Sequence, residues 1–188
     1  MIDLLTWENL AVLLAVAYLV LAMRENIWCW AAAFLSTAIY TVVFWNVALF
    51  MESALNVFYM GMAVYGWWQW TRGGKGDDGV RIHTWSAATH ARTIAAILLL
   101  TAVTGGLLSV TTAARPFVDS FTTVASVVTT FMVARKILEN WLYWIVIDAV
   151  SIWLYLDRGL QSTAGLFVLY VVLAVAGYVS WRRRYLAE

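Results

Sequence analysis

The chain has 188 residues, of which 63% are hydrophobic and 12% charged, and its apolar stretches repeatedly reach the roughly 20 residues that an α-helix needs to cross a bilayer core. It reads as an integral membrane protein, so the net charge of +1 says little: what counts is the side of the membrane on which each charge lies. A single cysteine, Cys29, with only His83 and His90 beside it, excludes an intrachain disulfide and leaves no ligand set for a structural metal; the sequence also lacks a glycine-rich phosphate loop and any nucleic-acid motif.

In chain order, apolar runs between charged or turn-prone breaks predict spans over 5–23, 27–45, 51–70, 92–112, 117–134, 139–156 and 162–181. The segment MIDLLTWENL carries Asp3 and Glu8 where a cleaved leader would carry positive charge, and no small-residue cleavage site follows, so the first run is expected to remain as a span. Residues 71–90, TRGGKGDDGVRIHTWSAATH, are the one long polar stretch and read as a cytoplasmic linker. His83 and His90 within it read as surface histidines rather than a metal site.

With seven crossings, Arg24, Arg72, Lys75, Arg81, Arg92, Arg135, Lys136, Arg182, Arg183 and Arg184 share one side, against Arg115 and Arg158 on the other. The positive-inside rule then puts the N-terminus outside and the C-terminus in the cytoplasm. Six or eight spans would spoil this segregation.

Sliding the sequence by 111 residues lays 24–72 over 135–183 without a gap, with 12 of 49 positions identical. The matches include Arg24 with Arg135, Trp30 with Trp141, Tyr59 with Tyr170, Gly66 with Gly177, Trp70 with Trp181 and Arg72 with Arg183. A duplication is the reading of this pattern. Three helices end on the side opposite to their start, so a directly fused copy would be inverted, and the fourth span restores the orientation. The expected architecture is therefore all-α, 3 + 1 + 3: a first bundle (1–70), a linker (71–91), a linker helix (92–112) and a second bundle (117–188), the two bundles parallel. Transporters built from such repeats bind substrate between the halves near the midplane.

On the sixth span Trp141, Trp144, Asp148, Ser151 and Tyr155 fall within an arc of roughly 80°. The third span carries Asn56 and Tyr59 on its matching face, and the second adds Ser36, Thr37 and Tyr40. Interfacial anchoring explains Trp141 and Trp144 as well as a pathway does, and interhelical hydrogen bonding does the same for Asn56, Ser36 and Thr37. Asp148 differs, because it lies about 13 Å of helix from either end of its span and costs about 2.5–3.5 kcal/mol there even on insertion scales. A wet cavity with a substrate in it is the preferred explanation, a protonated structural acid the alternative. A carboxylate among aromatic rings suits a flat organic cation, and the absence of Lys or Arg in mid-span disfavours a phosphorylated one.

The run ARKILENWLYWIVIDAVSIWLYLDRGL, with ALNVFYMGMAVYGWWQW before it, resembles the PnuC family of vitamin transporters across spans two to seven. The resemblance implies a SWEET-like fold, uptake of nicotinamide riboside by facilitated diffusion through a bacterial inner membrane, a homotrimer, and a cytoplasmic kinase that traps the product. It also implies pathway residues on the faces of Trp141, Trp144 and Asp148 and of Asn56 and Tyr59. Two positions depart from the family's pattern: nicotinamide riboside carriers often have Asn where this chain has Asp148 and Ser36. Thiamine, also a cationic aromatic, is the second candidate. No cofactor is expected, and no second intramembrane carboxylate suggests a proton relay. An intramembrane enzyme or a receptor is the alternative of another class, against which stand the lack of a paired acid and base and of an appended soluble domain. A cysteine placed at position 75 should be labelled only from the cytoplasm in a whole-cell accessibility assay; labelling by an impermeant reagent from outside would overturn the seven-span topology.

Overall fold

The computed structural model describes residues 4–46, 50–74, 79–110, 115–157 and 159–187, so positions 75 and 158 lie outside the described residues. Among the described residues seven helices follow one another: α1 (Leu4–Met23), α2 (Trp28–Asn46), α3 (Phe50–Arg72), α4 (Ala87–Leu108), α5 (Pro116–Ala134), α6 (Asn140–Asp157) and α7 (Gln161–Tyr185). Six of them start within two residues of the expected spans. The exception, α4, begins at Ala87 rather than 92, because the Ser86 hydroxyl accepts from the Thr89 backbone N–H at 3.2 Å and caps the helix. It also ends four residues early, while α7 runs four residues past its expected end. Helices α2, α4 and α5 and residues 163–185 of α7 have the length and hydropathy to cross a membrane. Among the described residues there is no strand, only an isolated backbone bridge between His83 and Ile137.

The chain divides into two compact units, residues 1–81 and 82–188. The expected linker is thereby split between them, and α4 is grouped with the second unit. In the first unit α2 packs against both α1 and α3. Buried hydroxyls stitch these contacts: Ser36 Oγ donates to the Ala11 carbonyl at 2.8 Å, and Ser53 Oγ to the Thr41 carbonyl at 2.9 Å. This is the hydrogen-bond glue that substitutes for a hydrophobic drive inside a bilayer. In the second unit α4 packs on α5, α5 on α6 and α6 on α7, around a layer in which Ile97, Ala125 and Ile147 meet Phe121, Val124, Tyr143 and Trp144.

The duplication seen in the sequence recurs as geometry within each unit. Glu25 N–H donates to Ala22 O and Asn26 N–H to Leu21 O, both at 3.0 Å; 111 residues on, Lys136 N–H donates to Val133 O at 2.9 Å and Ile137 N–H to Met132 O at 3.0 Å. These nested bonds form the same helix-ending turn twice. Each turn holds a non-glycine residue in the left-handed region, Glu25 at φ 53° and Lys136 at φ 51°. A second pair of matching contacts follows. A Cβ built on Gly66 would come within 2.4 Å of the Trp30 indole, and one on Gly177 within 2.6 Å of the Trp141 indole. Trp30 stands edge-on to Trp70 at 5.4 Å and 86°, Trp141 to Trp181 at 5.4 Å and 89°. Glycine is required at both places because an indole lies flat on the helix backbone, the close approach on which helix packing in membranes depends.

Replacing Gly177 with Val should force Trp141 out of place and cost about 1–3 kcal/mol, whereas Lys136→Gly relieves the left-handed backbone and should be neutral or stabilising by up to about 1 kcal/mol. Thermal unfolding in detergent measures both; a Gly177→Val variant as stable as the parent would contradict the clasp.

Candidate functional site

Asp148 sits midway along α6 and is only 5% exposed. Its carboxyl makes no hydrogen bond or ion pair with any described residue. A buried acid without a protein partner must lose its charge, find water or bind something else, since an isolated ion in apolar surroundings is the costliest group a fold can carry. None of the seven helices carries Lys or Arg further than two turns from an end, so no cation of the helix interiors is available to it.

The other α6 candidates are used differently. Trp141, 1% exposed, is the indole laid on Gly177 and edge-on to Trp181, yet its Nε1–H has no hydrogen-bond partner among the described residues. Trp144 is half-buried against the Ile97, Ala125 and Ile147 layer. The Ser151 hydroxyl is buried and donates to the Ile147 carbonyl of its own helix at 2.9 Å. Tyr155 is half-buried with its ring 5.0 Å from that of Phe167 on α7.

In the first unit, Ser36 spends its hydroxyl on Ala11 and Thr37 donates to the Ala33 carbonyl at 2.8 Å. Tyr40 is stacked on Phe44 at 5.3 Å and 17°. Asn56 donates from Nδ2 to the Glu52 carbonyl at 2.9 Å. Tyr59 is half-buried, edge-on to Phe58 at 5.7 Å.

Contacts that spacing along the chain did not disclose gather at the two ends of the second unit. His90, expected as a surface residue, lies on α4 with its side chain 19% exposed: Nδ1 is 2.9 Å from the Tyr143 hydroxyl and Nε2 3.7 Å from the Glu139 carboxylate. The early start of α4 is the reason, for it carries His90 onto a helix that faces α6. His83 is half-buried, and its N–H and C=O pair with Lys136 O and Leu138 N–H at 3.1 and 2.8 Å, strapping this part of the polar stretch to the loop before α6. At the opposite end, Arg115 makes a bidentate pair with Asp157, both bonds 2.9 Å, and lies 5.4 Å over the Trp153 ring. Hydrogen bonding to Asp157 raises the Arg115 pKa above its ordinary value. No group of three or more His, Cys, Asp or Glu side chains among the described residues could hold a metal ion.

Comparison with known proteins gives a consistent picture. Residues 5–183 match the family described as nicotinamide mononucleotide transporter. The riboflavin/roseoflavin transporter RibM of Streptomyces davaonensis is 29% identical over 179 residues, covering 90% of this chain and 81% of that protein. The nicotinamide riboside transporter PnuC of Escherichia coli is 22% identical over 187 residues, covering 86% and 78%. Among solved structures, the crystal structure of the vitamin B3 transporter PnuC matches with a TM-score of 0.72 and 22% identity, over 94% of this chain and 80% of that one, which shows a shared fold.

Proposed function

This chain belongs to the nicotinamide mononucleotide transporter family and is a membrane vitamin transporter; from that premise we propose that it takes up a dephosphorylated vitamin by facilitated diffusion, with nicotinamide riboside as the leading substrate. The observation that supports a cationic substrate is Asp148, a buried mid-helix carboxyl without a partner among the described residues; nicotinamide riboside leads over thiamine on the family resemblance. A cationic aromatic ligand supplies what the fold withholds from it, a positive charge, and half-buried rings such as Trp144 and Tyr155 on the same face of α6 accept the planar body. Asn56 and Tyr59 of α3 are proposed to contribute the polar and aromatic contacts of the first unit.

Phosphate is excluded by the same reasoning. A dianion would meet a carboxylate with no interior Lys or Arg to offset it, so the riboside and not the mononucleotide is the transported form. The reading includes, on the family resemblance, a homotrimer in a bacterial inner membrane with the N-terminus outside, and a cytoplasmic kinase that traps the product. Transport itself makes and breaks no covalent bond, and the proposal gives the chain no enzymatic role.

Riboflavin is the second reading, favoured by the 29% identity to RibM. The two differ in charge, which makes Asp148 the discriminator, with thiamine falling on the cationic side. In calorimetry on detergent-solubilised protein, nicotinamide riboside should bind and its 5′-phosphate should bind far more weakly. Asp148→Asn should weaken the cationic ligand by about 0.5–3 kcal/mol while leaving neutral riboflavin less affected. Equal affinities for the riboside and the mononucleotide would overturn the proposal; tight riboflavin binding indifferent to Asp148→Asn would establish the second reading instead.

A further inference from the structure

At the end of the second unit where α4 and α6 begin, the segment before α4 and the loop before α6 are tied together by backbone and side chains alike. His83 N–H donates to the Lys136 carbonyl at 3.1 Å and Leu138 N–H to the His83 carbonyl at 2.8 Å. Two residues on, the Trp85 N–H reaches Glu139 Oε2 at 3.4 Å. Glu139 stands at the cap of α6, its carbonyl accepting from the N–H groups of Leu142 and Tyr143 at 3.0 and 3.3 Å. The helix dipole favours a carboxylate there, and this one extends to the neighbouring segment.

His90 lies in the first turn of α4 and is held at both ring nitrogens by residues one turn apart on α6. Nδ1 is 2.9 Å from the Tyr143 hydroxyl; Nε2, buried and without a hydrogen bond among the described residues, is 3.7 Å from the Glu139 carboxylate. A carboxylate opposite Nε2 calls for a proton on that nitrogen, which leaves Nδ1 to accept from the Tyr143 O–H. Residues at i and i+4 share a helix face, so a grip on both Glu139 and Tyr143 fixes the height of α6 and its rotation against α4 together. The 111-residue repeat adds an independent observation. It lays Glu139 and Tyr143 over Trp28 and Ala32, at the start of α2, which packs against α1 and α3. The grip thus belongs to the unit that has α4 to hold.

We propose that His90 and Glu139 are positioning residues of this carrier: neither touches the vitamin, and with Tyr143 they set the height and rotation of α6 and through it the place of Asp148, five residues beyond Tyr143. The proposal rests on the reading of the chain as a vitamin transporter with Asp148 in its site. It gives α6 a second fixed point, since Trp141 sets the helix against α7 and His90 sets it against α4.

The test is a set of linked variants in the full-length protein in detergent. Nicotinamide riboside, thiamine and riboflavin are each titrated into wild type, and the ligand that binds is carried through His90→Phe, which keeps a ring and removes both nitrogens, Glu139→Leu, and Glu139→Gln, which keeps an acceptor. The grip requires that His90→Phe and Glu139→Leu each weaken binding by about tenfold, that the double variant be no weaker than either single one, and that Glu139→Gln stay within about threefold of wild type. In an Asp148→Asn background, His90→Phe should change binding by less than about twofold, because the group it positions is gone. A purely structural role would instead lower the melting temperature and leave the two losses additive. Should His90→Phe fail to fold, Tyr143→Phe, which removes one hydroxyl, takes its place. Losses that multiply with that of Asp148→Asn, or variants that bind like wild type, would overturn the grip while leaving the transporter reading in place. An Asp148→Asn protein that binds as wild type would overturn the grip and the role of Asp148 together; a wild type that binds none of the three vitamins would overturn the transporter reading as well.

Discussion

Inside a bilayer, helices gain nothing from burying oil against oil, so the second unit depends on one close approach: the indole of Trp141 lying on the bare backbone of Gly177, closed by the edge of Trp181. That approach sets the distance and register of α6 against α7. The α6 part of the proposed site is downstream of it, because Asp148 is two helical turns along from Trp141 and inherits its position. The same clasp, built from Trp30, Gly66 and Trp70, orders the first unit. Duplicating it, together with the turn that precedes it, is the economical way for one gene to make two such bundles.

Against this rigid frame the chain tolerates groups that the frame does not satisfy. Asp148 has no partner among the described residues, and the indole N–H groups of Trp30 and Trp141 are buried and unpaired at equivalent places. An unpaired buried donor costs about 1–3 kcal/mol and a buried carboxyl more. Buried hydroxyls divide: Ser36, Ser53 and Ser151 each have a carbonyl within 2.9 Å, whereas those of Thr101 and Ser120 have no hydrogen-bond partner among the described residues. Among these open groups Asp148 is the carboxyl, the costliest to bury, and the functional proposal gives it a ligand to meet.

Hydropathy made the seven helices legible, since spans in lipid must be long and apolar whatever their neighbours. The duplication was legible too, through the matched Trp and Gly positions that the structure shows to be the clasp itself. The start of α4 was hidden because SAATHARTI reads as polar chain until Ser86 is seen capping it. His90 was misread as a surface group for a related reason: its partners, Tyr143 and Glu139, lie some fifty residues away. Trp141 shows the limit of a face argument, for a residue packed on the next helix and one lining a path occupy the same stripe.

The central claim, that this chain by itself lets a dephosphorylated vitamin equilibrate across a membrane, is tested most directly by uptake of labelled nicotinamide riboside into proteoliposomes containing no other protein. Without ATP or an ion gradient, labelled riboside should enter until the inside and outside concentrations are equal. An imposed potential of 100 mV, inside negative, supplies about 2.3 kcal/mol to a monovalent cation and should raise the internal level about fifty-fold. Label that remains stoichiometric with protein, that emerges chemically altered, or that enters only with ATP or an ion gradient would contradict the account.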